Sequence, residues 1–183
     1  MLLTFDSNTE LFGLAAAILI AGIAAVMDWR VGRIPNYLTL PPLVIAPIVY
    51  GITDGTVGVV SSIVGMLLCG LVPFFLWRQG AIGGGDVKMT AAIGAVAGVL
   101  VGLEIEFISF IVGGLYALGR LAWEGQLLRT FANSFYLALN PLLPKKWRRK
   151  INPSLLSTVR MGGSFLVAAV LTLLARHPYL YQS

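Results

Sequence analysis

One polar stretch interrupts this otherwise apolar chain: Ala81-Ile82-Gly83-Gly84-Gly85-Asp86-Val87-Lys88-Met89. Residues 57–77 before it and residues 87–103 after it are each apolar enough to cross a bilayer, so Asp86 stands between two predicted helices. A carboxylate at such a place in a membrane protein is a candidate functional residue. The alternative is a helix N-cap, where aspartate is favoured and is often preceded by a glycine turn.

The composition predicts an integral membrane protein. Of 183 residues, 57% are hydrophobic and 11% are charged, which is more apolar surface than a soluble domain of this size can bury. Apolar segments recur along the chain without a long linker, so we expect one domain, 1–183. The single cysteine, Cys69, has no partner for a disulfide or a thiolate metal site. We predict no cofactor and no metal.

The expected fold is all-α, a bundle of six transmembrane helices. The predicted spans are approximately 11–27, 37–52, 57–77, 87–103, 107–122 and 159–175. Acidic residues mark the turns after the second and the fourth spans, at Asp54 and at Glu104 and Glu106. Between the fifth and sixth spans, residues 123–158 mix apolar and basic residues, which predicts an amphipathic segment at the membrane interface.

Positive charge orients the predicted spans. With six spans, the basic residues of the connections fall on one side, which is therefore predicted to be cytoplasmic, and the acidic turns fall on the other. The basic residues are Arg30, Arg33, Arg78, Lys88, Arg120, Arg129, Arg160 and the run at 145–150. Both termini are then outside the cytoplasm, in an inner-membrane protein. The net charge of +5 follows from this sidedness, so we expect no nucleic-acid partner.

The same orientation places Asp28, at the end of the first span, and Asp86 at one membrane depth. At helical spacing before Asp28 stand small side chains, Ala17, Ala21 and Ala24, which allow a neighbouring helix to approach closely. The fourth span carries Gly94, Gly98 and Gly102. Two such helices can bring their aspartates together, although glycines of this kind also serve ordinary helix packing.

Two neighbouring carboxylates share a proton and so supply one general base and one general acid. This is the chemistry of aspartyl proteolysis. Asp86 precedes a helix and lies near Lys88, which favours its anion, whereas Asp28 ends a helix, where the dipole disfavours charge although Arg30 offsets this. We therefore predict Asp86 as the base and Asp28 as the protonated partner.

At these residues the chain resembles the type IV prepilin peptidases. Gly83-Gly84-Gly85-Asp86 fits the G-x-G-D signature of intramembrane aspartyl peptidases. Asp28, followed by Arg30 and by Ile34-Pro35-Asn36, is similar to the first-aspartate motif of the family. The resemblance implies that Asp28 and Asp86 are the catalytic pair, that Gly83, Gly84, Gly85 and Lys88 form the active-site loop, and that Arg30, Ile34, Pro35 and Asn36 support it.

The resemblance also implies a substrate and partners. The substrate is a prepilin with an apolar N-terminal helix in the lipid bilayer, cut at the cytoplasmic face, and other pilus-assembly proteins are further partners. The sequence lacks the paired cysteines of the region linked to N-methylation, so the resemblance is to the short form and methylation is not expected. The chain looks most like the tight-adherence (Flp-type) peptidases, and an archaeal-type preflagellin peptidase is the alternative.

Two hypotheses of other classes stand beside this one. A proton-coupled membrane transporter also uses membrane aspartates, but no ionisable residue is predicted at mid-membrane. A catalytically silent scaffold would need neither aspartate. For a peptidase we expect the three glycines to be a moving part, because glycine tolerates positive φ and leaves room for another backbone near Asp86.

Overall fold

All the regular secondary structure in the described part of the chain is α-helix. A computed structural model describes residues 7–79, 82–123, 125 and 161–177. Its helices are α1 (Ser7–Val31), α2 (Asn36–Thr53), α3 (Gly55–Arg78), α4 (Gly84–Trp123) and α5 (Gly162–Arg176). The predicted all-α class is confirmed. The predicted interfacial segment, 123–158, lies almost entirely outside the described residues.

The helices are those of a multi-pass membrane protein. Among the described residues, α1 to α4 are each long and apolar enough to cross a membrane, and α5 is a shorter apolar helix. Large apolar side chains cover their outer faces, among them Leu19 and Leu67, which are 68% and 61% exposed. Such a surface suits lipid and is costly in water. The count of six spans is not confirmed, since the predicted fourth and fifth spans both fall within α4.

Helix α4 turns back on itself at Gly98. This residue has φ 77° and ψ −178°, a region that essentially only glycine adopts. A Cβ atom built on Gly102 would lie 2.8 Å from the Cα atom of Gly94, whereas residues eight apart in a straight helix are separated by about 12 Å. The two halves of α4 therefore fold against each other around a glycine.

The reversal corrects the predicted acidic turn at Glu104 and Glu106. Glu104 is half-buried, and its carboxylate pairs with Arg176 at 2.7 Å. Glu106 is only 6% exposed and lies in the interior. The turn was predicted at Glu104 and Glu106 because charged residues usually lie in exposed turns. Both carboxyl groups instead lie against other helices, and the turn is formed by Gly98, which has no side chain.

Side chains from α2 and α3 satisfy the backbone at the break. A helix that ends leaves carbonyl groups of its last turn without partners. The Ser62 hydroxyl donates to the Ala95 carbonyl at 2.7 Å, and the Tyr50 hydroxyl donates to the Val96 carbonyl. Buried backbone groups need hydrogen-bond partners, so the two side chains stabilise the buried turn.

The glycines of α4 pack against α3 and not against the Asp28 face of α1, in agreement with the alternative that they serve ordinary helix packing. A Cβ atom on Gly94 would lie 2.8 Å from the Cβ of Cys69 and 2.7 Å from the carbonyl carbon of Gly65. The glycines thus let two backbones touch. The predicted small face of α1 is buried: Ala17, Ala21 and Ala24 are all 0% exposed.

The bundle has two chemically different ends. At one end Arg176 pairs with Glu10 at 3.1 Å and with Glu104 at 2.7 Å. Asp54 accepts a hydrogen bond from Thr9 at the same end, where α1 begins. Asp28 and the start of α4 lie at the other end. The polar groups of the site are therefore separated from this acidic cluster by the length of the helices.

The strained turn leads to a prediction about stability. Alanine at position 98 would have to adopt the unfavourable backbone conformation, so we expect Gly98→Ala to lower the free energy of unfolding by about 1–3 kcal/mol. Gly119→Ala is the matched control, because a Cβ there meets nothing within 4 Å and the residue lies in the same helix. Thermal unfolding in detergent measures both. Equal melting temperatures for the two variants would contradict the assigned turn.

Candidate active site

Asp28 is a buried carboxylate near the end of α1. It is 7% exposed, and its Oδ2 atom accepts the backbone N–H of Gly162 at 3.0 Å. Gly162 is the first residue of α5. The first N–H groups of a helix lack partners within the helix and carry the positive end of its dipole. The start of α5 therefore places a backbone donor and the positive end of a helix dipole at Asp28.

Asp86 is a half-buried carboxylate in the first turn of α4. Its Oδ2 atom accepts the N–H of Gly83 at 3.2 Å, and its own N–H donates to the Gly83 carbonyl at 3.1 Å. The side chain reaches back to the residue before the helix, as in one half of a capping box. Asp86 is the third residue of α4 and not the N-cap residue foreseen as an alternative, and its contact with Gly83 holds the carboxylate in place.

The two carboxyl groups lie at the same end of the bundle, where contacts of Gly85 with Ile34 and of Lys88 with Asn36 join the start of α4 to the segment that follows Asp28. Each accepts one backbone N–H at the start of a helix. The sequence-based expectation was that the dipole at the end of α1 disfavours a negative charge on Asp28. It did not include the start of α5, which contacts the same carboxyl group. With both carboxylates at helix N-termini, the geometry favours one negative charge on the pair without assigning it to either residue.

The connection between α1 and α2 packs against the start of α4. A Cβ atom built on Gly85 would lie 3.3 Å from the Cβ of Ile34. Pro35 has extended backbone angles and immediately precedes α2. The Lys88 ammonium donates to the Asn36 side chain at 2.8 Å. These contacts hold the segment that follows Asp28 against the helix that carries Asp86.

The remaining predicted residues lie around the pair. Arg30 is exposed in the last turn of α1 and forms no ion pair within the described part of the chain. A Cβ on Gly84 would lie 3.3 Å from the indole nitrogen of Trp77, and a Cβ on Gly83 would lie 3.3 Å from Asp86 Oδ2. None of Gly83, Gly84 and Gly85 has a positive φ. In this conformation close approach, not positive φ, accounts for glycine at these positions, and their role as a moving part stays a prediction.

Sequence reasoning missed Gly162 and Trp77. Gly162 stands 134 positions from Asp28, so no local spacing relates the two residues. The available signal was the pair Gly162-Gly163 at the start of the last predicted span, where small residues indicate close packing. Trp77 stood at the end of the third span and was interpreted only as its boundary.

The chain is similar in sequence to known proteins. The model of the type IV leader peptidase family matches residues 15–118, which include both aspartates. The chain is 32% identical over 126 residues to the prepilin leader peptidase/N-methyltransferase of Bacillus subtilis (strain 168). That match covers 64% of this chain and 50% of the relative, so the chain spans about half the length of the curated protein. No solved structure matches the chain.

Proposed function

Because the chain belongs to the type IV leader peptidase family, we propose that it is an aspartic endopeptidase that cleaves the leader peptide from type IV prepilins. The observation that carries the proposal is that Asp28 and Asp86 lie at the same end of an apolar helical bundle, in segments joined by the contacts of Gly85 with Ile34 and of Lys88 with Asn36. Both carboxyl groups are held by backbone donors. Two carboxyl groups at one site can supply the acid and the base of hydrolysis.

The proposed reaction uses one ionised and one protonated carboxyl group. The ionised group takes a proton from water as the water oxygen bonds to the scissile carbonyl carbon. The protonated group gives its proton to the amide nitrogen as the C–N bond breaks. The products are a new carboxyl end on the leader and a new amine on the mature chain. Helix N-termini at both aspartates stabilise the single negative charge that the pair carries.

The position of the pair suits a substrate whose own helix lies in the membrane. Asp28 lies in the last two turns of α1 and Asp86 in the first turn of α4. In such a substrate the scissile bond lies between the polar leader, which stays outside the lipid, and the apolar helix. This junction would lie at the end of the bundle that carries the two aspartates. Lipid is thus the second partner of the enzyme.

The direct test is cleavage by the purified protein. We expect the chain, reconstituted in vesicles, to shorten a prepilin at the junction between its leader and its apolar helix. Flp-type prepilins and archaeal-type preflagellins, offered in parallel, distinguish the two substrate classes. Intact substrates of both classes after prolonged incubation would overturn the proposal.

We place the active site at the cytoplasmic face. Arg30, Arg33, Arg78 and Lys88 surround the end that carries the aspartates, whereas Glu10, Asp54 and Glu104 lie at the other end. Excess Lys and Arg mark cytoplasmic connections. Both the beginning of α1 and the end of α5 are then outside the cytoplasm.

Reporter fusions test this orientation. A reporter that is active only in the cytoplasm should be active when fused after Pro144 and inactive when fused after Asp54. A second reporter, active only outside the cytoplasm, should be active after Asp54. Its activity shows that a fusion at this position is expressed. The opposite pattern would place the aspartates outside and contradict a cytoplasmic cleavage site.

One observation favours a second function, proton-coupled transport. An ionisable side chain lies in the interior of the bundle: Glu106 is 6% exposed, and its Oε2 atom has no hydrogen-bond partner within the described residues. Buried carboxyl groups in membrane proteins often relay protons. Proton flux into vesicles that is lost in Glu106→Gln, with no cleavage by either protein, would support transport instead.

A further inference from the structure

The backbone of Gly162 lies directly against Asp28. A Cβ atom built at this position would lie 2.9 Å from the Cβ of Asp28 and 3.1 Å from both the Ala24 carbonyl oxygen and the Ala25 Cα. Distances below 3.0 Å are shorter than real side chains tolerate, and two of the three neighbours are backbone atoms. A methyl group at position 162 would therefore force Asp28 or the start of α5 to shift.

The donor at Gly162 is held by an ordered helix start. Met161 is 7% exposed, and its carbonyl accepts the N–H groups of Ser164 and Phe165 at 3.0 and 3.2 Å. The Ser164 hydroxyl donates to the same carbonyl at 2.7 Å. A turn fixed in this way presents the Gly162 N–H to Asp28 without the loss of freedom that a flexible donor would incur.

We propose that Gly162 is a positioning residue for Asp28, through its N–H group and through the absence of a side chain. It holds the carboxyl group of Asp28 in one orientation and brings the N-terminus of α5 to it. The inference rests on the proposed peptidase function. Gly162 lies outside residues 15–118, so the family match itself assigns it no role.

A pair of neighbouring glycines provides a matched test. Gly162→Ala adds a methyl group against Asp28, whereas Gly163→Ala adds the same group one residue later, where it meets nothing within 4 Å. Both changes fall in the first turn of α5 and replace glycine with a better helix former. The comparison therefore isolates the contact with Asp28 from effects on the helix.

The kinetic result separates positioning from substrate binding. Because small displacements of a catalytic group cost up to about a hundredfold in rate, we expect Gly162→Ala to lower kcat for prepilin cleavage at least tenfold. The KM value should stay near that of the unchanged protein, since Gly162 is buried beneath the carboxylate. Gly163→Ala should retain both constants. Thermal unfolding of each variant shows whether the fold is kept.

A second measurement needs neither cleavage nor a folded Gly162 variant. With glycine labelled by ¹⁵N, the amide proton of Gly162 reports its hydrogen bond to Asp28. In Asp28→Asn an amide group replaces the carboxyl group that accepts this hydrogen bond. The Gly162 resonance should therefore shift by more than that of Gly163.

The outcomes distinguish this inference from the proposed function. If Gly162→Ala cleaves as fast as Gly163→Ala, or if the Gly162 resonance is unchanged in Asp28→Asn, Gly162 does not position the carboxylate. If the unchanged protein cleaves no prepilin while the resonance moves as expected, the contact is real and the peptidase function fails. A lower kcat in Gly162→Ala together with the moved resonance supports both.

Discussion

Asp28→Asn and Asp86→Asn should each lower the rate of prepilin cleavage by at least about a thousandfold, because positioned acid and base groups contribute up to ten-thousandfold. Asparagine keeps the shape of the side chain but can neither take a proton from water nor give one to the leaving amine. Each variant should still insert and fold, since the backbone N–H groups of Gly162 and Gly83 can donate to an amide oxygen. Sizing of the cleavage product measures the loss.

Asp54→Asn is the control for these variants. Asp54 is also a carboxylate between two helices, but it lies at the opposite end of the bundle, where Thr9 and Thr53 donate to it. Its substitution should leave cleavage unchanged. The double variant at Asp28 and Asp86 should be no slower than either single variant, because residues that act as one unit do not lose activity additively. Full activity in either single variant would remove that aspartate from the mechanism.

The sequence predicts the class of the fold but not the position of the turn within α4. Apolar composition and segment length predict membrane helices because each helix has to satisfy its own backbone in lipid. The turn in α4 was misplaced because Gly94, Gly98 and Gly102 have the same spacing whether they pack or turn. Only the surroundings decide between the two: Ser62 and Tyr50 supply hydrogen bonds at the break.

In the site too, the residues near each aspartate in sequence could be predicted, whereas the contact from a distant helix could not. The loop before Asp86 and the connection after Asp28 carry recognisable residues, and contacts such as Lys88 with Asn36 join the two segments. The N-terminus of α5 reaches Asp28 from 134 positions away. No local spacing in the sequence reveals this contact. The prediction of which aspartate is protonated therefore considered only the end of α1.

A valine at position 85 should separate the two halves of the site. The Cβ atom alone would lie 3.3 Å from the Cβ of Ile34 and 3.6 Å from the backbone nitrogen and oxygen of Ile34. The two further methyl groups of valine would have to displace this backbone, because their neighbours on that side are not a flexible chain end. The start of α4 would then move away from the connection that follows Asp28.

We therefore expect Gly85→Val to lower kcat/KM about a hundredfold, the loss that a displacement near 1 Å can cause, with the protein still inserted. Gly84→Val is the matched control. A Cβ there would lie 3.3 Å from the indole of Trp77, which is 47% exposed and can rotate away. This variant should keep most of its activity. Cleavage rates of the two variants, measured beside their thermal unfolding, test the difference. Equal tolerance at both positions would mean that the contact with Ile34 does not hold the aspartates together and that the loop only joins α3 to α4.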